Sequence, residues 1–314
     1  MKKVLWTLLF LVTFGVLAFK IPDKTGRLSA IGSLEGLPPT LIRAFDPHTH
    51  FEPIHQPGPQ DWLSVHPESK QTFEQYLKHG FIQPDGQRHT IYFQPIGNFP
   101  KDRSPSLKAL KEFATAYFSL KVKILPALSV EEQKLTNRIN PYTKKRQILT
   151  HDILKLLRNH LPQDAFCILG ITMEDLYPDP NWNFVFGMAS IYQRVGVFSF
   201  VRYDPCFYGE KRTKRYKEIL LRRSCKVLAH ETAHMFGVLH CLFFQCIMGG
   251  SNHLQEADLR PIHLCPVCLR KLHHNIGFDV VKRYNKLLHF YKRYGFIAEA
   301  EWVEKRLNYI VGKK

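Results

Sequence analysis

Residues 230–240 read HETAHMFGVLH, and this segment predicts both a local structure and a chemistry. His230 and His234 lie four residues apart, so on a helix both imidazoles leave the same face and can bind one metal ion. Gly237 has no Cβ and can take a left-handed conformation, which favours a sharp helix stop. Such a stop would turn the chain back and bring His240 to the metal as a third ligand.

Three neutral imidazoles leave the fourth tetrahedral position of a zinc ion open for water, which is the arrangement of a catalytic zinc site. Zinc lowers the pKa of that water to about 7. Glu231 follows the first histidine, where its carboxylate reaches the water and not the metal. It can therefore act as a general base and later donate a proton to a leaving amine. The pattern predicts hydrolysis of peptide bonds by a zinc-bound water that Glu231 activates.

Four cysteines follow at once. Cys241 and Cys246 enclose four residues, and Cys265 and Cys268 form a Cys-x-x-Cys pair. Four thiolates are the ligand set of a closed structural zinc site. The alternative is that the four side chains are buried or disulfide-bonded. Because His240 and Cys241 are adjacent, we expect them to bind different metals, giving two zinc ions per chain.

The run from residue 230 to Leu269-Arg270-Lys271-Leu272 resembles the signature of the archaemetzincins, a metzincin branch of zinc metallopeptidases with a second, cysteine-bound zinc. Similarity to the vertebrate type extends over about residues 60–290. The segments that carry it outside the zinc motif are Asp61-Trp62, His66-Pro67-Glu68, Asp164-Ala165-Phe166-Cys167 with Gly170-Ile171-Thr172, Trp182-Asn183-Phe184-Val185-Phe186-Gly187 and Ser251-Asn252-His253-Leu254.

The resemblance implies a role for each matching residue. It assigns the catalytic zinc to His230, His234 and His240, with Glu231 as base, and the second zinc to the four cysteines. It also places Met248 in a Met-turn, as a hydrophobic floor beneath the imidazoles. On its own residue type, Met248 could equally be a flexible core filler. The family leans toward aminopeptidase action on peptide or protein substrates.

Helical and strand patterns alternate along the chain, which favours a mixed α/β (α+β) sheet. We predict strands at 90–96, 120–128, 165–171, 184–190 and 196–202. We predict helices at 61–77, 107–120, 152–161, 216–236, 279–294 and 298–310, of which 216–236 carries the zinc motif. The resulting fold is a metzincin-like zincin with a long zinc-binding helix and a smaller C-terminal helical part.

The domain prediction has three parts. Residues 1–20 form a leader, residues 21–58 a loosely structured spacer rich in Pro and Gly, and residues 59–314 the catalytic domain. An upper α/β part of this domain (about 59–237) and a lower part (about 238–314) would enclose the substrate cleft. The resemblance to metzincins implies that an edge strand above the zinc helix pairs with an extended substrate, and residues 187–190 or a neighbouring strand are the candidate. The alternative is that residues 187–190 only complete the sheet.

The N-terminus has the pattern of a signal peptide. Lys2 and Lys3 precede an apolar run from residue 4 to residue 19, and Val16-Leu17-Ala18 offers small-residue cleavage. The run is short for a membrane span, although an uncleaved signal anchor remains an alternative. We therefore expect an exported or membrane-anchored protein. The alternative is a buried helix in a cytoplasmic protein, and most archaemetzincins lack such a leader.

Composition fits a globular enzyme with a sizeable core, since 45% of the 314 residues are hydrophobic and 23% charged. Lys and Arg number 44 against 27 for Asp and Glu, a net charge of +17. The basic run at 211–217 precedes the zinc helix, but no nucleic-acid-binding motif accompanies it. We read it as a solvated surface and expect no specific nucleic-acid partner.

Cys167, Cys206 and Cys225 are an odd set, which favours core residues or unpaired thiols over a disulfide framework. We expect a monomer. A second class of function is a zinc-stabilised, non-catalytic binding module with a basic surface, against which Glu231 argues because binding alone needs no base.

Overall fold

The computed structural model describes residues 20–313, so the predicted leader lies outside the described residues except for Lys20. The described chain is mixed α/β, as predicted. Its strands are β1 (Thr90–Ile96), β2 (Lys121–Ile124), β3 (Asn137–Ile139), β4 (Arg146–Leu149), β5 (Ala165–Thr172), β6 (Asp175–Tyr177), β7 (Gly187–Ser190) and β8 (Val195–Ser199).

Helices surround the strands, and short 3-10 turns follow β8. The α-helices are α1 (Lys24–Ile31), α2 (Pro39–Phe45), α3 (Trp62–Val65), α4 (Phe73–Lys78), α5 (Leu107–Phe118), α6 (Thr150–Asn159), α7 (Tyr216–Met235), α8 (Leu254–Leu259), α9 (Pro266–Ile276), α10 (Val280–Tyr294) and α11 (Ile297–Val311). No helix within residues 20–313 combines the length and the apolar character that crossing a membrane would require.

The main sheet has five strands in the order β2-β1-β5-β8-β7. The first four run parallel, and β7 pairs antiparallel with β8 at one edge. Every residue of β1 and β5 is buried, because helices cover both faces of this part of the sheet. The sheet thus presents β7, and only β7, as an edge on the side of the zinc helix.

Helix α7 confirms the predicted long zinc helix. It packs against α5, β7 and β8, and most of its residues are buried. The predicted C-terminal helices are confirmed as α10 and α11, which pack on each other. One hydrophobic core contains residues from both sides of the predicted boundary at residue 237, among them Phe198, Leu228, Leu269 and Tyr291. The division into an upper and a lower part stays a prediction.

The predicted spacer at 21–58 is wrong as a description of residues 24–45. The side chain of Asp23 accepts a hydrogen bond from the backbone of Gly26 and caps α1, while Pro39 opens α2. Arg306 of α11 is fully buried and donates to the carbonyl oxygen of Ala44 at the end of α2. Pro and Gly here mark helix ends and not a linker, so this segment belongs to the core.

Other predictions also differ from the structure. The single helix expected at 61–77 is two short helices, α3 and α4, separated by a segment that contains Pro67. The expected strand at 184–190 begins only at Gly187. Proline restricts the residue before it to extended conformations, which explains the interruption in the first case.

Candidate metal centre

The chain reverses direction directly after α7, as predicted from Gly237. Gly237 has a φ of 77°, and its N–H donates to the carbonyl oxygen of His234 at 2.9 Å. A methyl group at this position would lie 2.1 Å from Cγ of Phe81. Both the left-handed backbone and the close aromatic ring therefore require glycine here, and the turn returns His240 to the helix.

The three predicted histidines converge through their Nε2 atoms. Nε2 of His230 lies 3.1 Å from Nε2 of His234 and 3.2 Å from Nε2 of His240. Zinc–nitrogen bonds of about 2.0–2.1 Å in a tetrahedral site imply nitrogen–nitrogen separations of about 3.3–3.4 Å. The observed spacing therefore fits a single zinc ion, and the prediction that these side chains meet is confirmed by the geometry.

Hydrogen bonds on the far side of each ring fix where the protons are. Nδ1 of His230 lies 2.8 Å from the carbonyl oxygen of Ile247, and Nδ1 of His234 lies 2.7 Å from that of Val238. Nδ1 of His240 lies 2.6 Å from a carboxylate oxygen of Glu68. These oxygens only accept, so each Nδ1 carries the hydrogen and each Nε2 carries a lone pair.

Three lone pairs facing one another at this distance repel unless a cation lies between them. Burial lowers the pKa of His230 to about 3, and burial also lowers the pKa of His234 well below its ordinary value. Protonation of these two imidazoles is therefore unfavourable near neutral pH, so a proton does not supply the positive charge. Neutral imidazoles are good zinc ligands. The donor set fits the predicted metal.

Glu231 lies beside the ligands without binding them. Its side chain is 8% exposed, and burial raises the pKa of its carboxyl group to about 8. Within residues 20–313 no hydrogen-bond donor reaches this carboxylate. It packs instead against the backbone of Gly187, where an added Cβ would lie 2.6 Å from Oε1. A carboxylate with free lone pairs at the metal site is suited to accept a proton.

The four predicted cysteines also converge. Cys241, Cys246, Cys265 and Cys268 are buried, and their Sγ atoms all lie within 4.8 Å of one another. Sγ of Cys241 lies 3.5 Å from Sγ of Cys265, close to the separation of about 3.8 Å that zinc–sulfur bonds of about 2.3 Å imply. All seven cysteines, which lie in the described part, are free thiols, so the disulfide alternative is wrong.

Backbone contacts support the cysteine cluster and join it to the histidines. The N–H of Cys265 donates to Sγ of Cys246 at 3.2 Å, as expected for a thiolate ligand. The N–H of Cys241 donates to the carbonyl oxygen of Met248 at 2.7 Å. Met248 is fully buried and follows Ile247, whose carbonyl holds His230. The place of Met248 beneath the imidazoles stays a prediction.

A cleft of about 910 Å³ opens over the histidines, and its walls include Glu231, Trp62, Trp182 and β7. The N–H of Ser199 donates to the carbonyl oxygen of Phe186 at 2.9 Å. Since hydrogen-bonded pairs alternate along an antiparallel ladder, Gly187 and Ala189 direct their N–H and C=O groups to the free edge. Backbone groups of β7 are therefore available to an extended peptide in the cleft.

A third group of possible ligands, Asp61, His253 and Glu256, is explained without a metal. Nδ1 of His253 accepts from the N–H of Glu256 at 3.2 Å, so its Nε2 carries the hydrogen and donates to Asp61 at 3.1 Å. Glu256 accepts from the backbone of Trp62 and from Arg260. Among the described residues, neither Glu256 nor Asp258 hydrogen-bonds to the imidazoles of His230, His234 or His240. Asp258 pairs with Arg223.

The contact of Glu68 with His240 could not be predicted from the sequence. Glu68 occurs in one of the segments that resemble the archaemetzincins, yet nothing in that segment indicates which side chain it meets. The structure places it against His240, 172 residues later in the chain. Contacts over such a separation leave no periodic pattern in the sequence, so this contact could not be predicted from the sequence.

Comparisons with known proteins identify the family of the chain. The model of Peptidase family M54 matches residues 116–274, which include both clusters. Archaemetzincin-2 of Mus musculus is 44% identical over 79% of this chain and 77% of its own length. Archaemetzincin-2 of Homo sapiens is 42% identical over the same shares. The crystal structure of archaemetzincin from Methanopyrus kandleri is 28% identical with a TM-score of 0.48, covering 61% of this chain and 97% of that one. The chain belongs to peptidase family M54, the archaemetzincins, and is a zinc metallopeptidase.

Proposed function

We propose that this chain hydrolyses peptide bonds at the His230–His234–His240 site, with Glu231 as the general base. The observation that supports this proposal is the convergence of three Nε2 lone pairs in a cleft, beside a buried carboxylate that no donor within the described residues occupies. When bound at the imidazoles, zinc polarises the scissile carbonyl and lowers the pKa of a coordinated water to about 7.

Glu231 moves the proton in both halves of the reaction. Its carboxylate accepts a proton from the attacking water, whose oxygen forms the new bond to the carbonyl carbon. The same group then donates that proton to the amide nitrogen as the carbon–nitrogen bond breaks. Packing against Gly187 keeps the carboxylate close to the ligands and limits its rotation.

We propose that substrate binds as an extended strand along β7. The outward backbone groups of Gly187 and Ala189 offer donors and acceptors of the spacing that an added strand requires. Pairing of this kind recognises the peptide backbone and not its side chains. It would hold the scissile bond over the imidazoles whatever the local sequence of the substrate.

The resemblance to the archaemetzincins favours an aminopeptidase-like mode of cleavage. A peptide with a free N-terminus and the same peptide with an acetylated N-terminus distinguish the two modes, because an aminopeptidase needs the free amine. We expect mass spectrometry to find cleavage only of the free form. Equal cleavage of both peptides would assign the chain to internal cleavage instead.

We propose a second zinc ion at Cys241, Cys246, Cys265 and Cys268, with a structural role. Four thiolates fill a tetrahedral zinc ion and leave no position for water. The cluster is buried and adjoins the histidine loop, so its metal would stabilise the backbone that carries the third histidine. Elemental analysis should give about two zinc ions per chain.

Replacement of the base is the test of the enzymatic function. Glu231→Gln keeps the size of the side chain but cannot accept the proton, so we expect peptide turnover to fall by about 10²–10⁴-fold. Zinc content should not change, because Glu231 is not a ligand. Equal turnover by both proteins, or none by either across a broad peptide library, would contradict the proposal and favour the non-catalytic binding module.

We also propose that the leader at 1–20 exports or anchors a monomeric enzyme. Its charged start and apolar run support this proposal. N-terminal sequencing of the mature protein should find a start after residue 18, or an intact leader in the membrane fraction. An intact Met1 in the cytosol would exclude export, and light scattering would establish the oligomeric state.

A further inference from the structure

We infer that Glu68, Gln71 and Tyr76 act together as a brace that positions His240, an inference that rests on the proposed zinc site. The three residues lie before and within α4, and each of them hydrogen-bonds to the loop that follows α7. Of the three histidines, His240 is the one that this loop and not the helix carries. Its position therefore depends on whatever fixes the loop.

The brace forms hydrogen bonds with most residues of the loop from 236 to 240. The hydroxyl of Tyr76 donates to the carbonyl oxygen of Phe236 at 2.6 Å. Gln71 donates to the carbonyl oxygen of Gly237 at 3.1 Å and accepts from the N–H of Leu239 at 3.1 Å. The carboxylate of Glu68 then accepts from Nδ1 of His240 at 2.6 Å. The contacts of Tyr76 and Gln71 satisfy backbone groups of the loop, whereas that of Glu68 orients the imidazole ring.

A second layer of contacts holds the brace itself. Nζ of Lys271 is buried and donates to the side-chain oxygen of Gln71 at 2.9 Å and to its backbone oxygen. Asn275 donates to the hydroxyl of Tyr76 at 2.9 Å. Both residues belong to α9, which begins at the cysteine pair. The brace is therefore fixed to the helix that contains Cys268 and directly follows Cys265.

Glu68 has its own orienting contact. Nε1 of Trp62 donates to the same carboxylate oxygen at 2.9 Å that His240 contacts, and the two rings pack edge to face with centroids 5.4 Å apart. A carboxylate that accepts from Nδ1–H holds the ring in the tautomer whose Nε2 is free, and it raises the basicity of that nitrogen. Glu68 is thus a positioning residue for the third ligand.

The brace comes from a part of the chain that the family model does not match. That match begins at residue 116, whereas the brace spans residues 68–76. The segment contributes neither a zinc ligand nor the proposed base. Its contribution is to reduce the freedom of one ligand before the metal binds, which raises affinity for the metal without adding a bond to it.

Zinc affinity of the full chain tests the inference independently of turnover. Wild type, Glu68→Gln and Tyr76→Phe would be equilibrated with a graded chelator, and the zinc retained per chain measured by elemental analysis. We expect the histidine site of Glu68→Gln to bind zinc about 10–100-fold more weakly. Tyr76→Phe loses one hydrogen bond and should weaken binding about two- to tenfold. Glu301→Gln, at an exposed position of α11, is the matched control and should bind as wild type.

The cysteine-bound zinc serves as the internal measure of folding. Loss confined to the histidine site supports the brace. If Glu68→Gln also loses the cysteine-bound zinc, its fold has failed and Tyr76→Phe decides the question. Wild-type affinity in both variants would overturn the inference. A wild-type chain that retains zinc only at the cysteines would instead contradict the proposed function.

Discussion

Glu231 is positioned by packing. Its carboxylate rests against the backbone of Gly187, and within residues 20–313 no donor constrains it. A carboxylate that accepted strong hydrogen bonds would be a weaker base, whereas a buried one without donors keeps its lone pairs for the reaction. Gly187 therefore positions the proposed base because it has no side chain.

Gly187→Ala tests this arrangement. The new methyl group would lie 2.6 Å from Oε1 and 2.8 Å from Cδ of Glu231, so the carboxylate must move. We expect kcat/KM to fall by about ten- to a hundredfold, the cost of a displacement approaching 1 Å, with zinc content unchanged. Gly86→Ala adds a methyl group in open space and is the control. Wild-type kcat/KM in Gly187→Ala would refute the packing account.

Gly237→Ala tests the turn that returns the third ligand. Gly237 and Gly209 have similar φ values, 77° and 81°, but only Gly237 has a ring within reach of an added methyl group. Gly209→Ala should lower the free energy of unfolding by about 1–2 kcal/mol, the cost of the left-handed backbone. Gly237→Ala should lower the free energy of unfolding by about 1–3 kcal/mol more, because the new methyl group clashes with Phe81. Equal losses in urea denaturation would mean that Phe81 moves aside freely.

Strand β7 is the element that we propose binds the substrate. It lies at the edge of the five-stranded sheet, and the outward groups of Gly187 and Ala189 lie beside the cleft. An edge with unpaired backbone groups is usually shielded. Here it lines the active-site cleft, which favours a role in binding an extended peptide.

Ala189→Pro removes one outward N–H from this edge. Proline is tolerated on edge strands where its nitrogen faces away from the sheet, so the fold should persist. We expect kcat/KM to fall by about two- to tenfold, which corresponds to one hydrogen bond of about 0.5–1.5 kcal/mol. Ala189→Val keeps the N–H and should be close to wild type. Equal kinetics of the two variants, with unchanged circular dichroism, would argue against strand pairing.

Elements with a clear local pattern were predictable. Alternation in β1 and the apolar run of β5 predict the positions of these strands almost to the residue, and helical spacing predicts α5 and α10. Helix α9 is not predicted, because the Cys-x-x-Cys pair indicates metal ligands and not a helix. In the structure Cys265 precedes the helix and Pro266 is its first residue. The same residues thus serve as ligands and as a helix start.

The residues of the two clusters and Glu231 could be predicted because they are close together in sequence. The residues that surround them could not, because they are distant in sequence. Eight side chains, those of the three histidines, Glu231 and the four cysteines, lie within 39 positions, from 230 to 268. The contacts of Glu68 and Gln71 with the loop after α7 span 166–172 residues. Folding brings these parts together through the burial of α1, α2 and α4 against α9, which no local pattern records.

Across the whole molecule, the two clusters form one unit. The carbonyl groups of Ile247 and Met248 contact His230 and Cys241 respectively, so adjacent residues of one turn hold a ligand of each site. His240 and Cys241 are adjacent as well. A change at either cluster should therefore alter the geometry of the other, and the two zinc ions that we propose would be coupled through one shared loop.

Anomalous diffraction at the zinc edge, from crystals of protein purified with zinc, tests this claim most directly. We expect one peak about 2.0–2.1 Å from Nε2 of His230, His234 and His240, and another about 2.3 Å from the four cysteine Sγ atoms. A zinc-containing crystal with no peak among the imidazoles, or with Glu231 bound directly to the ion, would contradict the account.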